Sequence, residues 1–164
     1  MIIEMRKRVQ NAIDSKRKIV WLDETMFTKT TNLKKEWSKR LTNFTIPCEA
    51  KGSKFTAVLA AISFGYGFEH VELYDTAVDE VIFLKYLRRL KEINENENLT
   101  IVMDNLAVHK TDDVKSLMRE LGFEWIYNVP YSPEYNAIEL PFGQIKKHFR
   151  EAKLVCLAND FRFD

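Results

Sequence analysis

The sequence predicts an α/β domain. Its core is a mixed five-stranded sheet, an antiparallel meander of strands 1 to 3 followed by parallel strands 4 and 5, with helices flanking it. Three observations carry that expectation. Five short runs rich in β-branched, aliphatic and aromatic residues fall between Lys18 and Val129, as buried strands do. The first three follow one another without an intervening helical period, whereas helical periods separate the third, fourth and fifth. The 164 residues are 46% hydrophobic and 12% aromatic, enough apolar material to fill one core.

Taken in order, Ile2, Met5, Val9, Ala12 and Ile13 recur at helical spacing among Arg and Lys. They predict a linker helix over residues 1–17, ahead of a domain at 18–164. Lys18 to Leu22 reads as a strand that stops at Asp23-Glu24-Thr25. A polar stretch, 28–53, leads to a second strand over Lys54 to Phe64. Gly65-Tyr66-Gly67 then turns the chain into a third strand, Phe68 to Tyr74. Val78, Val81, Ile82, Leu84, Leu87 and Leu90 mark a helix that closes at Asn94, and Leu99 to Met103 is a fourth strand ending at Asp104-Asn105. Thr111 caps a helix running to Leu121, Gly122 stops it, and Phe123 to Val129 forms the fifth strand. Pro130 and Pro133 punctuate a loop before a last helix, Ala137 to about Ala152. Its apolar stripe is Ile138, Phe142, Ile145 and Phe149, and Pro141 must lie in its first turn.

Right-handed crossovers make strands 4 and 5 parallel to strand 1 and set the carboxyl ends of strands 1 and 4 side by side. Asp23 and Asp104 then become neighbours. Glu139 leans over the same edge, because the loop from Pro130 to Asn136 returns the chain there, and 34 residues separate it from Asp104. Carboxylate oxygens suit hard cations. Two divalent ions about 3.5 to 4 Å apart activate an attacking oxygen and stabilise the leaving one in phosphodiester displacement. Asp23, Asp104 and Glu139 are therefore the candidate catalytic and metal-ligating residues, for two Mg2+ or Mn2+ ions. Without ions, mutual repulsion should raise at least one carboxyl pKa and make activity fall in acid.

Lys and Arg number 25 against 24 Asp and Glu, a formal charge of +1, so any contact with nucleic acid must be local rather than global. Two places offer it. Lys34 and Lys35 lie near Trp37, with Lys39 and Arg40 beyond, where the aromatic ring could stack on an unpaired base or instead pack into the core. Lys146, Lys147 and Arg150 follow Glu139 on the last helix and could neutralise phosphates, or form an ordinary solvated face. Cys48 and Cys156 lie far apart and outside any metal or disulfide spacing. The apolar runs are too short to cross a bilayer and the N-terminus is basic and amphipathic. The expectation is an intracellular protein, in the nucleus of a eukaryote or the cytoplasm and nucleoid of a prokaryote.

Three segments carry a resemblance: Trp21 to Phe27, Met103-Asp104-Asn105 through His109, and Pro130 to Glu139. Together they resemble the catalytic core of Tc/mariner superfamily transposases, from about Lys18 to Lys153. The resemblance implies a ribonuclease-H-like, retroviral-integrase-like fold and dependence on magnesium or manganese. It also implies a triad of Asp23, Asp104 and Glu139, with Asn105 and His109 as secondary polar residues. His109 could instead be a solvent-facing residue before the Thr111 cap. The implied activity is DNA cleavage at transposon ends followed by strand transfer into target DNA, in a homodimer or larger assembly. The helix-turn-helix domain of such relatives would be missing or separate. A related nuclease, or a silent domesticated protein that binds DNA or dimerises, remains the alternative.

Overall fold

The computed structural model describes residues 2–28, 55–130 and 132–160, with side chains as far as residue 152. The elements run α1 (Ile2–Asp14), β1 (Lys18–Thr28), β2 (Phe55–Ser63), β3 (Gly67–Tyr74), α2 (Glu80–Ile93), β4 (Leu99–Met103), α3 (Asp112–Glu120), β5 (Glu124–Tyr127) and α4 (Glu139–Asp160). Short 3-10 turns at Ala107–Lys110 and Pro133–Tyr135 follow β4 and β5. The sheet order is β3-β2-β1-β4-β5. β1, β2 and β3 pair antiparallel, and β4 is parallel to both β1 and β5. This is the topology expected from the sequence.

Local chemistry sets the element ends. The Asp79 side chain accepts from the Ile82 amide at 2.8 Å and starts α2, and Thr111 does the same for Val114 at the head of α3. Gly122 takes a φ of +71° just past α3, a conformation that favours glycine.

Alternation along the strands divides the core into two faces. On one, Val20, Leu22, Leu59, Ala61, Ile101 and Met103 meet Phe83, Tyr86, Leu87 and Leu90 of α2 and Val114, Leu117 and Met118 of α3. On the other, Met5 and Ala12 of α1 cover Ile19, Val102 and Ile126, while Ile138 and Phe142 cover Val58, Ala60 and Ile62. The result is three layers, helices on both sides of the sheet.

Two elements differ from the sequence expectation. β1 does not stop at Leu22 but continues through Asp23-Glu24-Thr25 to Thr28. Polar residues end a strand only when its backbone lacks a partner, and β2 pairs with β1 from Val20↔Ser63 to Thr28↔Phe55. α4 begins at Glu139 rather than Ala137 and runs past Ala152 to Asp160. Pro141 sits in its first turn, where a missing N–H costs nothing. Its apolar stripe is only half used, since Ile138 and Phe142 are buried but Ile145 and Phe149 are each 38% exposed. Phe149 still meets Phe27 edge-on at 5.1 Å, a contact that depends on the extra length of β1.

Ile138→Ala is expected to cost about 3 kcal/mol of stability and Ile145→Ala under about 1, as read from urea unfolding. Equal losses would mean that α4 stays on the sheet throughout.

Candidate active site

The parallel ladder between β1 and β4 runs from Lys18↔Leu99 to Trp21↔Val102. Two residues further on in that register, Asp23 stands level with Asp104, and the period of two turns both to the face that carries Ile19, Trp21 and Val102. β4 ends at Met103 while β1 continues, so Asp23 is anchored within a strand and Asp104 begins a loop. Asp23, Asp104 and Glu139 line one cleft of about 530 Å³, together with Glu24, Asn105, Asn128, Ser132, Asn136 and apolar residues of the two loops. Glu139 is exposed at its rim, on the first residue of α4.

The loop after β5 holds this arrangement through amides. Asn128 donates from its backbone N–H to the Met103 carbonyl at 2.7 Å and from Nδ2 to the Ser132 carbonyl at 3.0 Å. Asn105 Nδ2 donates to the Asn128 carbonyl. At the far end of the loop, Asn136 Nδ2 donates to Asp23 Oδ2 at 2.8 Å. Asp23 Oδ1 accepts from the Glu24 amide at 2.7 Å, so both Asp23 oxygens are oriented before any ligand arrives.

The two aspartates titrate in opposite directions. Burial is the largest influence on Asp23; with the charges of Asp104 and Glu139 it lifts the carboxyl to about 6, against the Glu24 amide and His109. Repulsion among the acids therefore contributes, as expected from the sequence, but burial contributes more. Burial also pushes Asp104 upward, yet His109 and the Leu106 amide outweigh it and hold that carboxyl below the usual range.

His109 is fully buried, which removes the reading of it as a solvent-facing residue. Its Nδ1 lies 2.8 Å from Asp104 Oδ1 and its Nε2 3.5 Å from Glu24 Oε1. Each ring nitrogen thus faces a carboxylate, and the attraction is charge-assisted. Burial depresses the imidazole, but the two carboxylates prevail and raise it to about 9. Its ring stacks on Phe83 at 4.3 Å.

The donor chemistry fits a hard divalent cation. The three acids present only carboxylate oxygens to the cleft, and Asp23 carries a cost of ionisation that a cation would relieve. Among the described residues no group of three or more His, Cys, Asp or Glu side chains is gathered closely enough to hold a metal ion by itself. Magnesium needs only one or two carboxylates, with waters and substrate oxygens completing its shell.

Of the other residues singled out in the sequence, Lys34, Lys35 and Trp37 lie outside the described residues. Lys146, Lys147 and Arg150 are on α4 beyond the cleft, and Lys147 faces Glu151 one turn on at 3.9 Å. Glu24, Asn128 and Asn136 were not singled out as site residues. Asn136 was visible inside the Pro130 to Glu139 motif and Glu24 inside the Trp21 to Phe27 motif, but neither carried a role of its own there.

A mixed five-stranded sheet of this order, with helices on both faces, is the ribonuclease-H-like fold. The family model described as DDE superfamily endonuclease matches residues 18–159, and the chain belongs to that family. Among solved structures, it is similar to the Mos1 transposase paired-end complex with the left transposon end, with a TM-score of 0.69 and 16% identity over 98% of this chain and 53% of that one. A structure of the Mos1 transposase catalytic domain and raltegravir with Mg gives 0.61 and 14%, over 98% and 79%. The simian T-cell lymphotropic virus intasome in complex with PP2A regulatory subunit B56 gamma gives 0.58 and 13%, over 81% and 41%. At these identities the likeness is one of fold, and the chain spans about half the length of the Mos1 paired-end protein. No curated protein matches the chain by sequence. No helix among the described residues is long and apolar enough to cross a membrane.

A raised carboxyl pKa makes the folded, metal-free protein hold a proton that the unfolded chain has released, so stability falls as pH rises from about 3.8 to about 6. Asp23→Asn removes that loss and keeps an acceptor for Asn136. It is expected to stabilise the metal-free protein by about 2 kcal/mol at pH 7.5 and by nothing below pH ~4, measured by urea unfolding across pH. A gain independent of pH would contradict the burial argument.

Proposed function

We propose that this chain is the catalytic domain of a Tc/mariner-type DNA transposase, with Asp23, Asp104 and Glu139 as its catalytic, metal-ligating triad. The observation that carries the reading is that the three acids, far apart in sequence, line one cleft with Asp23 and Asp104 level on the same sheet face. Membership of the endonuclease family supports phosphodiester chemistry. The similar Mos1 structures, which are described with transposon ends, Mn and Mg, support DNA as substrate and Mg2+ or Mn2+ as cofactor, two ions per site.

Bound between the triad carboxylates, the two ions would supply Lewis-acid activation of the attacking oxygen and neutralise charge on the leaving one. The chain's own residues do the positioning. Asn136 and the Glu24 amide fix the two oxygens of Asp23, so little reorganisation remains when substrate enters. Asn105 and Asn128 keep the loops after β4 and β5 together, which sets the width of the cleft. Glu139, at the exposed rim, closes the site from the helix side. Cleavage of transposon ends by water and transfer of the freed 3′-hydroxyl into target DNA use the same in-line geometry, and a dimer or larger assembly would bring two ends together.

On α4, Lys146 and Arg150 lie seven and eleven residues beyond Glu139, within about 20° of it around the helix and about 10 and 16 Å along it. They are placed to follow a phosphate backbone leaving the cleft. Lys147 lies about 80° off that line and is turned toward Glu151.

Given pre-cleaved ends, target plasmid and Mn2+, the protein is expected to yield joined products. Asp104→Ala and Glu139→Gln should each lower the rate at least about a thousandfold with DNA affinity unchanged. Hydrolysis without joining would make it a nuclease instead, and full activity in either variant would remove the triad. Lys146→Ala with Arg150→Ala should weaken DNA binding and reduce the slope of log affinity against log salt by about 2, by fluorescence anisotropy. An unchanged slope would leave those cations as a solvated face.

A further inference from the structure

Glu24 follows Asp23 in β1 and, by the alternation of the strand, leans toward α2 and the 3-10 turn after β4, at the border of the cleft. There it meets His109. The two side chains and Asp104 form a chain from carboxylate through imidazole to carboxylate, running from the middle of β1 to the end of β4. His109 is 0% exposed and is backed by the Phe83 ring, itself 0% exposed. Glu24 Oε1 and both ring nitrogens are buried, and each ring nitrogen faces a carboxylate.

A fold gains little from such a group. Taking a carboxylate and an imidazole out of water costs desolvation that an apolar trio of the same volume would avoid. Neither ring nitrogen is available as a ligand, because each faces a carboxylate, and His109 does not line the cleft. What the pair does is restrain Asp104. Its Oδ1 takes both the His109 contact and the Leu106 amide at 3.1 Å, while its Oδ2 has no partner among the described residues. Asp104 begins a loop, so without this restraint its carboxylate would be free to rotate, whereas Asp23 is fixed by the strand and by Asn136.

We infer that Glu24 and His109 are positioning residues, a buried clamp that fixes Asp104 by its Oδ1 and leaves Oδ2 to bind a divalent cation. The inference rests on the metal-binding reading of the triad. Partners behind a ligating carboxylate typically contribute about ten- to hundredfold in metal affinity. Phe83 holds the ring plane, and Glu24 prevents the ring from swinging away from Asp104.

The test is Mn2+ affinity, by calorimetric titration of the metal into wild type, Glu24→Gln, His109→Gln, Asp104→Ala and a core control, Leu90→Ala. Circular dichroism checks that each is folded. Glu24→Gln preserves shape and carries the test if His109→Gln does not fold. The expected result is a loss of about ten- to hundredfold in the Glu24 and His109 variants, with wild-type affinity in Leu90→Ala. Wild-type affinity in both clamp variants, alongside lost binding in Asp104→Ala, would overturn the clamp and leave the triad standing. A loss in Leu90→Ala equal to theirs would reduce the clamp to general stability and overturn it as well. If Asp104→Ala and wild type gave the same isotherm, the metal reading itself would fall, and the clamp with it.

Discussion

The site depends on a difference in length between two neighbouring strands. β1 and β4 run parallel and in register as far as Trp21↔Val102; β4 then stops at Met103, while β1, held by β2 along its other edge, runs on to Thr28. The aspartates that come two residues after the last pair are therefore at one level but in different surroundings. Asp23 is held by a sheet backbone, and Asp104 by a loop and the side chains beneath it. Had β4 been as long as β1, Asp104 would be paired into the sheet; had β1 been as short as β4, Asp23 would lose its fixed direction.

That asymmetry separates the behaviour of two chemically identical groups. Burial and neighbouring acids raise Asp23, whereas the histidine and a backbone amide lower Asp104. Carboxylates pushed apart in this way mark sites where charge is to be supplied or accepted. The loop from Asn128 to Asn136 completes the arrangement by linking the end of β5 to Asp23 and delivering the chain to Glu139. Ile138 and Phe142, sealed against β2, fix where α4 starts and therefore where Glu139 stands. The core under α4 is thus also the support of the third acid.

Much of this was legible in the sequence because hydrophobic runs and helical periods are local signals. The order of elements, the Thr111 cap, the Gly122 stop and the place of Pro141 all follow from a few residues each. That Asp23, Asp104 and Glu139 would share a cleft was legible through their motifs and through the strands that precede both aspartates. What stayed hidden depended on pairing. Asp23-Glu24-Thr25 looks like the end of a strand until β2 is placed beside it. Ile145 and Phe149 share the helical spacing of Ile138 and Phe142, yet each is 38% exposed. Glu24 offered no spacing of its own, since its importance comes from His109, which is remote in sequence and reaches it only after the chain has crossed through β4. His109 itself suggested solvent as readily as a site, because a histidine before a helix cap carries no sign of the Phe83 ring that covers it.

The central claim is that three acids gathered in one cleft hold a pair of divalent ions. Anomalous scattering from crystals soaked in manganese addresses it most directly. Two peaks roughly 3.5 to 4 Å apart, in the cleft lined by Asp23, Asp104 and Glu139, are the predicted result. A cleft free of anomalous density at saturating manganese, or a peak only at surface carboxylates elsewhere, would contradict it.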